Sequence, residues 1–541
     1  MRFLFLFFTI GLYAHPSLPL LHKGLISEAI DEYLKGPPNF EVLEDMASLL
    51  LEKGMTSNEP ETQMISLYGS SFASRFFCLH LCGLGITSQH PMVQMAAIHL
   101  LGRYQDDRAE EIYMRAFSSP HLMVRMEAAH ELARIRSKYA CGLIESLMHH
   151  LQEPYWVFFP ELYALIGTDD ATILLKKLIS HQELPVRIST MISAARFGRD
   201  DFLFTIRSML THNNPLEQEA AAMAVGFLAD SASIPRLIQL SRHHEDAVKL
   251  AACRSLTMLG DLSYEQQIID LAREKNLFAI SLCAQIEKSR PILAPLLYDP
   301  QISVRLNAAL SMLKLRDPRA ALTLTELLIT DQRDLGFAPF YSPGGTLMAF
   351  RAHPSMTALQ KHLGSDLATI SLTLREMLLS ECIELSPPVF LTIAKKIFDT
   401  RQYPLIPLLT SLLQTLGSED AIDLLKEKTE QVGAPLIRGY ANLALYHMGV
   451  PGPYEKNLFK WIDEQMQHEL IRFRPMLSWT EKETSSFEMT PDEISNLLIR
   501  TYLTLAEKHT TEGVSVILKA IKLGHPKNRP ALAGILLHAI E

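Results

Sequence analysis

The amino-acid sequence predicts an all-α protein, an α-solenoid in which short antiparallel helix pairs stack side by side into a superhelix. Three observations predict it. Val93, Val124, Tyr155, Val186, Glu217, Val248 and Ala279 stand 31 residues apart without a slip. In several segments one pattern recurs: a turn former, a β-branched residue, a basic one, then Ala four positions past the anchor, as in Val124-Arg125 with Ala128 and Val248-Lys249 with Ala252. Gly167, Gly198 and Gly260 each fall twelve residues past an anchor, where a helix must stop.

Each element of the unit follows from these marks. Anchor, plus four and plus eight lie on one helical stripe, so Val124, Ala128 and Leu132 face the core, and the small Ala admits a neighbouring helix. Gly or Asp beyond the stripe ends that helix and opens a tight turn. The stretch that follows, such as Ala171 to Ile179 or Ile234 to Leu240, supplies the second helix of the pair. One pair buries little by itself, but stacked pairs share a continuous core whose contacts run only between neighbours. Val304-Arg305 with Ala308-Ala309, and Ile437-Arg438 with Ala441 and Gly449, carry the same marks farther on.

The turn-Val-Arg-x-x-Ala-Ala pattern with Gly-Asp at the turn, seen at Val124 to Ala129 and at Gly260-Asp261, resembles the HEAT repeat. Its 31-residue form is similar to the phycobilisome-lyase HEAT-like family. The resemblance covers about residues 80 to 330 and one further unit near 418 to 450. It implies an armadillo-like architecture. For activity it implies little, because such repeats serve scaffolds, adaptors and a few enzymes alike.

The organisation expected from these readings begins with residues 1–14 as a signal peptide. Met1-Arg2 precedes an apolar run from Phe3 to Tyr13, and Ala14 precedes His15-Pro16; the run is too short to span a bilayer as a helix. Residues 15–79 then form an N-terminal helical cap, 80–330 the repeat array, and 331–356 a loop. Residues 357–471 form a second helical block, and 472–541 an irregular linker and a C-terminal helical cap. The two caps are expected to cover opposite ends of the stack. The loop stretch Leu335 to Pro354 lacks helical period and holds Phe337, Phe340, Tyr341, Pro343-Gly344-Gly345 and Phe350, which makes it a candidate contact site. After Ala279 the next anchor, Val304, comes only 25 residues on, so one helix pair is shortened.

Composition narrows the function. A net charge of -9, with 51 basic and 60 acidic residues mixed along the chain, offers no cluster for phosphate-backbone binding, and nucleic acid is not an expected partner. The six cysteines are scattered and read as small buried side chains, not a disulfide framework. Cys78, His80 and Cys82 do not converge as metal ligands, because Cys78 and Cys82 share a helix face that excludes His80. Adjacent pairs such as His149-His150 point about 100° apart. No nucleophile elbow, phosphate-binding glycine loop or zinc motif is present. The basic residues after the anchors, Arg125, Arg187, Lys249, Arg305 and Arg438, are expected to pair with turn aspartates such as Asp230, Asp261 and Asp317.

No cofactor or metal is therefore expected. The leading reading is a non-enzymatic, exported, monomeric scaffold that binds a protein or peptide on its concave face. That face falls to positions two, three, six and seven past each anchor, which selects Glu127, His130, Glu131, Arg254 and Asn307 as partner-binding candidates, with Phe337, Phe340, Tyr341 and Phe350 of the loop. Two alternatives stand beside it: a lyase-like, small-molecule-handling enzyme, which the family resemblance suggests, and a cytoplasmic adaptor whose first apolar segment stays in place.

Overall fold

The computed structural model describes residues 15–104, 107–329, 335–354, 366–473 and 489–541. The proposed signal peptide lies outside the described residues, as does most of the 472–489 linker with Trp479. What is described is an all-α solenoid of short helix pairs. The helices that carry anchors are alike: Leu122–Arg134, Leu184–Arg196, Pro215–Phe227, Asp246–Met258 and Ile302–Lys314 each run 13 residues. Val124, Val186, Val248 and Val304 are at most 1% exposed, and Ala128, Ala221, Ala252 and Ala308 are wholly buried.

Tyr155 departs from this register. It is 53% exposed and sits in the 3-10 turn Glu153–Phe158, and the helix Phe159–Ile166 starts four residues past the anchor position. Pro160 gives the reason. A helix begun near Pro154 would place Pro160 in its interior, where the ring clashes with the preceding turn and a hydrogen bond is lost; starting at Phe159 puts it in the first turn. The stripe survives, because Phe159 and Tyr163, four and eight past the anchor, are both buried. The shortened pair after Ala279 is equally plain: Leu277–Leu282 has six residues and gives way to two 3-10 turns before Arg290–Leu296.

Twelve residues past the anchor the backbone is left-handed whether or not glycine stands there. Gly167, Gly198, Gly260 and Gly449 have positive φ, and so do Arg136, Ala229 and Arg316 at the equivalent position. The next residue then donates its N–H back into the helix, as Asp230 does to Val225, Asp261 to Leu256 and Asp317 to Met312. This closure satisfies carbonyls that a helix end leaves open. It outweighs the roughly 1–2 kcal/mol that a side chain costs in this conformation.

The residue after the anchor does something the sequence reading did not foresee. Gln94, Arg125, Arg187, Gln218 and Arg305 each donate a side-chain N–H to the carbonyl six residues earlier, those of Ser88, Ser119, His181, His212 and Asp299, at 2.5–2.8 Å. The expected pairing of these basic residues with turn aspartates is thus corrected. Asp230, Asp261 and Asp317 instead accept from Ala232, Ser263 and Arg319 N–H at the start of the next 3-10 turn. The distant cations that two of these aspartates do take come from the second helices of the pairs, not from the residues after the anchors: Arg207 on Asp230 and Arg290 on Asp317. Asp230 takes a bidentate Arg207, and Arg319 holds the Asp317 carboxyl down to about 2.

Two compact units make up the chain, Met1–Leu132 with Leu425–Glu541, and Ala133–Leu424. In the first, serines cross-brace successive repeats: Ser88 donates to Gln63 and Ser119 to Gln94, each at 2.7 Å. Helices Phe40–Met55 and Pro60–Ser70 pack on Arg529–Ile540. Of the stretches 15–79 and 472–541, expected as caps at opposite ends, Phe40–Met55 and Pro60–Ser70 of the first share a core with Arg529–Ile540 of the second. A cap needs a polar outer face; Arg529–Ile540 buries every residue from Pro530 to Leu537 and has none. A methyl group on Gly534 would sit 2.0 Å from the Gly69 carbonyl oxygen, so only glycine allows this crossing.

The second unit holds the repeats from Ala140–His149 to Ile406–Leu416 and, among them, a two-stranded hairpin. All six cysteines are buried free thiols. Among the described residues no helix is long and apolar enough to cross a membrane.

Gln94→Leu should remove both the donor to Ser88 and the acceptor for Ser119, losing about 1–3 kcal/mol for each group left unsatisfied. Gln94→Arg keeps the donor and should lose less. Urea unfolding measures both; equal stability of all three chains would show that the brace contributes nothing.

Candidate functional site

The stretch Leu335 to Pro354, expected as an irregular loop, is a β-hairpin. Strand β1 (Leu335–Tyr341) pairs antiparallel with β2 (Met348–Pro354), Leu335 opposite Pro354 and Tyr341 opposite Met348. Small residues and Pro339 hide the alternation, yet Leu347 and Ala349 point inward while Met348 is exposed. Pro339 lies opposite Phe350, whose N–H and C=O both bond to Asn307 on a helix. A proline without an N–H fits such a position, since no ladder bond is asked of it.

The hairpin tip is built around one carboxylate. Glu219, two residues past its anchor on Pro215–Phe227, is 1% exposed. It accepts from the Ser342 hydroxyl, from Gly344 N–H at 2.8 Å, from the Thr346 hydroxyl at 2.6 Å and from Thr346 N–H at 3.4 Å. Ser342 organises the tip as well, accepting from the N–H groups of Thr346 and Leu347. A methyl group on Gly344 would come within 2.7 Å of the Glu219 carboxyl carbon, and Gly345 turns the chain with φ +71°. Among the described residues no Lys, Arg or His forms an ion pair with Glu219. A carboxylate so deeply buried needs several donors to offset its lost hydration, and here the hairpin supplies them.

The strand edge is held by Ile302–Lys314. Asn307 is wholly buried and uses all of its amide. Its nitrogen donates to the Phe350 carbonyl at 2.6 Å and to the Ser303 carbonyl at 2.7 Å, while its oxygen accepts from Phe350 N–H at 2.9 Å and the Ser281 hydroxyl at 3.0 Å. Two donors and two acceptors are matched, which sets the orientation of the amide. Ser303 accepts from Ala352 N–H at 2.9 Å. Phe340 lies against Phe278, ring centroids 4.9 Å apart, with the Arg351 guanidinium 4.3 Å from its centroid. β1 packs on Asp366–Cys382.

The sequence candidates fall into two groups. Asn307 meets Phe350 in the second unit, as face and hairpin of one chain, and Phe340 of the same hairpin meets Phe278; Phe337 is buried there and Tyr341 is exposed. Arg254 lies on Asp246–Met258, where burial lowers its guanidinium from the usual value, and no described carboxylate forms an ion pair with it. Glu127, His130 and Glu131 sit in the first unit on Leu122–Arg134, one polar atom of each within 4.8 Å of the others. Glu127 also pairs with His99 at 2.8 Å, and Tyr113 donates to Glu131. Sequence reasoning missed Glu219, Phe278, Ser303, Ser342 and Thr346. A signal for Glu219 was present: two past the anchors stand Met95, Met126, Val157, Ile188, Glu219, Leu250, Ser281 and Leu306, with a single charge among them.

Comparison with known proteins agrees with the repeat reading. The HEAT-repeat family pattern matches residues 83–157 and 171–257, so the chain carries HEAT repeats and resembles that family. Among solved structures, the complex of CpcE and CpcF of phycocyanin lyase from Nostoc sp. PCC7120 is similar over 40% of this chain and 92% of its own, at 16% identity and a TM-score of 0.29. The karyopherin Kap121p bound to the extreme C-terminus of the protein phosphatase Cdc14p is similar over 92% of this chain. It does so at 12% identity and a TM-score of 0.39, and this chain spans 64% of its length. No curated protein sequence matches.

Asn307→Ala should free both main-chain groups of Phe350. At about 1 kcal/mol for each lost hydrogen bond, exchange of the Phe350 amide should speed up roughly tenfold or more while the repeat helices stay protected. Amide hydrogen exchange reads this directly; unchanged protection at Phe350 would show that Asn307 does not hold the strand.

Proposed function

We propose that this HEAT-repeat chain is an exported, non-enzymatic scaffold that binds a protein or peptide partner along the face carrying Glu219, Phe278, Ser303 and Asn307. One observation carries the reading. Side chains on that face already hold a polypeptide segment by its main chain, with Asn307 on both groups of Phe350 and Ser303 on Ala352. Such contacts suit any extended chain, which is how sheet edges and grooves take up peptides. The charge balance supports a protein partner over nucleic acid, since the net charge of -9 brings no basic cluster with it.

Crosslinking capture from native extract, with the full chain as bait, should retain a stoichiometric protein crosslinked to residues of Pro215–Phe227 or Ile302–Lys314. Recovery of a small molecule alone, or of a protein crosslinked only elsewhere, would overturn the reading. Export has its own support in the apolar run Phe3 to Tyr13. N-terminal sequencing of the protein from its native source should begin at His15; an intact Met1 would place the chain among cytoplasmic adaptors.

A further inference from the structure

We infer that the face around Glu219, Phe278, Ser303 and Asn307 is a receptor for a β-hairpin with a hydroxyl-glycine tip, and that the 335–354 hairpin is its resident occupant, which a partner hairpin of the same chemistry replaces. The inference rests on the polypeptide-binding reading above and names the ligand class and the internal competitor.

The receptor half of the site has two kinds of contact. Asn307 and Ser303 touch only main-chain atoms of Phe350 and Ala352, so they recognise extended backbone and not a sequence. Glu219 and Phe278 supply the selectivity. Glu219 is satisfied by hairpin donors, two hydroxyls and two N–H groups, and by no described cation. Its burial is therefore tolerable only while a donor-rich turn lies on it. The close approach at Gly344 requires glycine at the second position past the serine. Phe278 takes an aromatic ring two positions before that serine, as it takes Phe340. A partner hairpin thus needs an aromatic, then Ser or Thr, then Gly, then a second hydroxyl, spaced as in Phe340, Ser342, Gly344 and Thr346, and a returning strand for Asn307 and Ser303 to hold.

The occupant is suited to leaving. A two-stranded hairpin is marginal in water by itself, so its own pairing and its seating on the face are coupled. While seated it competes as a tethered ligand, whose effective concentration is on the order of millimolar. A free segment enters only when it binds better or when the tip is weakened.

The probe is a labelled synthetic peptide of residues 335–354, titrated by fluorescence anisotropy. It should bind a chain whose 335–354 segment is replaced by a short Gly-Ser linker at least about tenfold more tightly than the intact chain. The same peptide carrying Ser342→Ala and Thr346→Val should bind that shortened chain about tenfold more weakly or worse. Should the shortened chain fail to fold, the intact chain carrying Ser342→Ala and Thr346→Val answers the same question, because loosening its own tip should let the wild-type peptide in. Equal binding to intact and shortened chains, no binding to a shortened chain that is helical by circular dichroism, or no gain in the tip variant would each overturn the inference. A protein partner captured through this face without any peptide binding would sink the inference and leave the scaffold reading standing. Peptide binding with no protein captured would do the reverse.

Discussion

A hydrogen bond from the residue after the anchor to the carbonyl six positions earlier, made at five of the repeats, steadies the stack. The turn between helix pairs must reverse the chain with its carbonyls partly buried, and a buried carbonyl without a donor is expensive. Gln94, Arg125, Arg187, Gln218 and Arg305 meet that need from within the next helix, so each helix fixes the turn that leads into it. What the position requires is an N–H on a long side chain, which explains why Arg and Gln exchange there. Where Arg187 also reaches Glu217, the bond spans two repeats. Burial acts to raise the Glu217 carboxyl, but bonds from His212 and Arg187 outweigh it and hold it below its usual value, so a charged residue can occupy a core anchor.

The same demand, turned outward, builds the hairpin site. Glu219 is a second buried acid two residues past Glu217 and so on the other side of the helix, but its donors come from a segment more than a hundred residues away in sequence. Repeat proteins ordinarily draw their contacts from neighbours. A long-range contact to a buried charge is therefore a break in the pattern. The face it lies on, expected from the anchor register to be open, is itself packed: Leu250, Ala251, Ser255, Leu306 and Asn307 are wholly buried.

Much of the repeat was legible because period and small residues act locally: Val124, Ala128 and Leu132 are buried as the stripe requires. Tyr155 was misplaced because a single proline, Pro160, shifts a helix start without disturbing the spacing. The hairpin was read as a loop because Gly336, Ala338, Pro339 and Ala352 blur a period of two, and because pairing of β1 with β2 is a tertiary fact. The turn aspartates were matched to the wrong partners because a cap two residues away and an ion pair thirty residues away look the same in sequence. Asn307 and Phe350 were both singled out, but nothing in their spacing says that they meet. The end caps failed for a physical reason as well: Arg529–Ile540 has no polar face to show to water, a property readable in its Ala, Leu, Ile and Gly content.

That last helix has a consequence for how the molecule comes into being. Its contacts with Phe40–Met55 and Pro60–Ser70 join the two extremes of the chain, with Gly534 against Gly69. A growing polypeptide delivers Phe40–Met55 and Pro60–Ser70 first, yet they lack their packing partner until Arg529–Ile540 has been made. Residues Ala133 to Leu424 need no such wait, since their unit is contiguous. Docking of Arg529–Ile540 on those helices is instead a pairing of long sequence separation, and contacts of that kind form slowly.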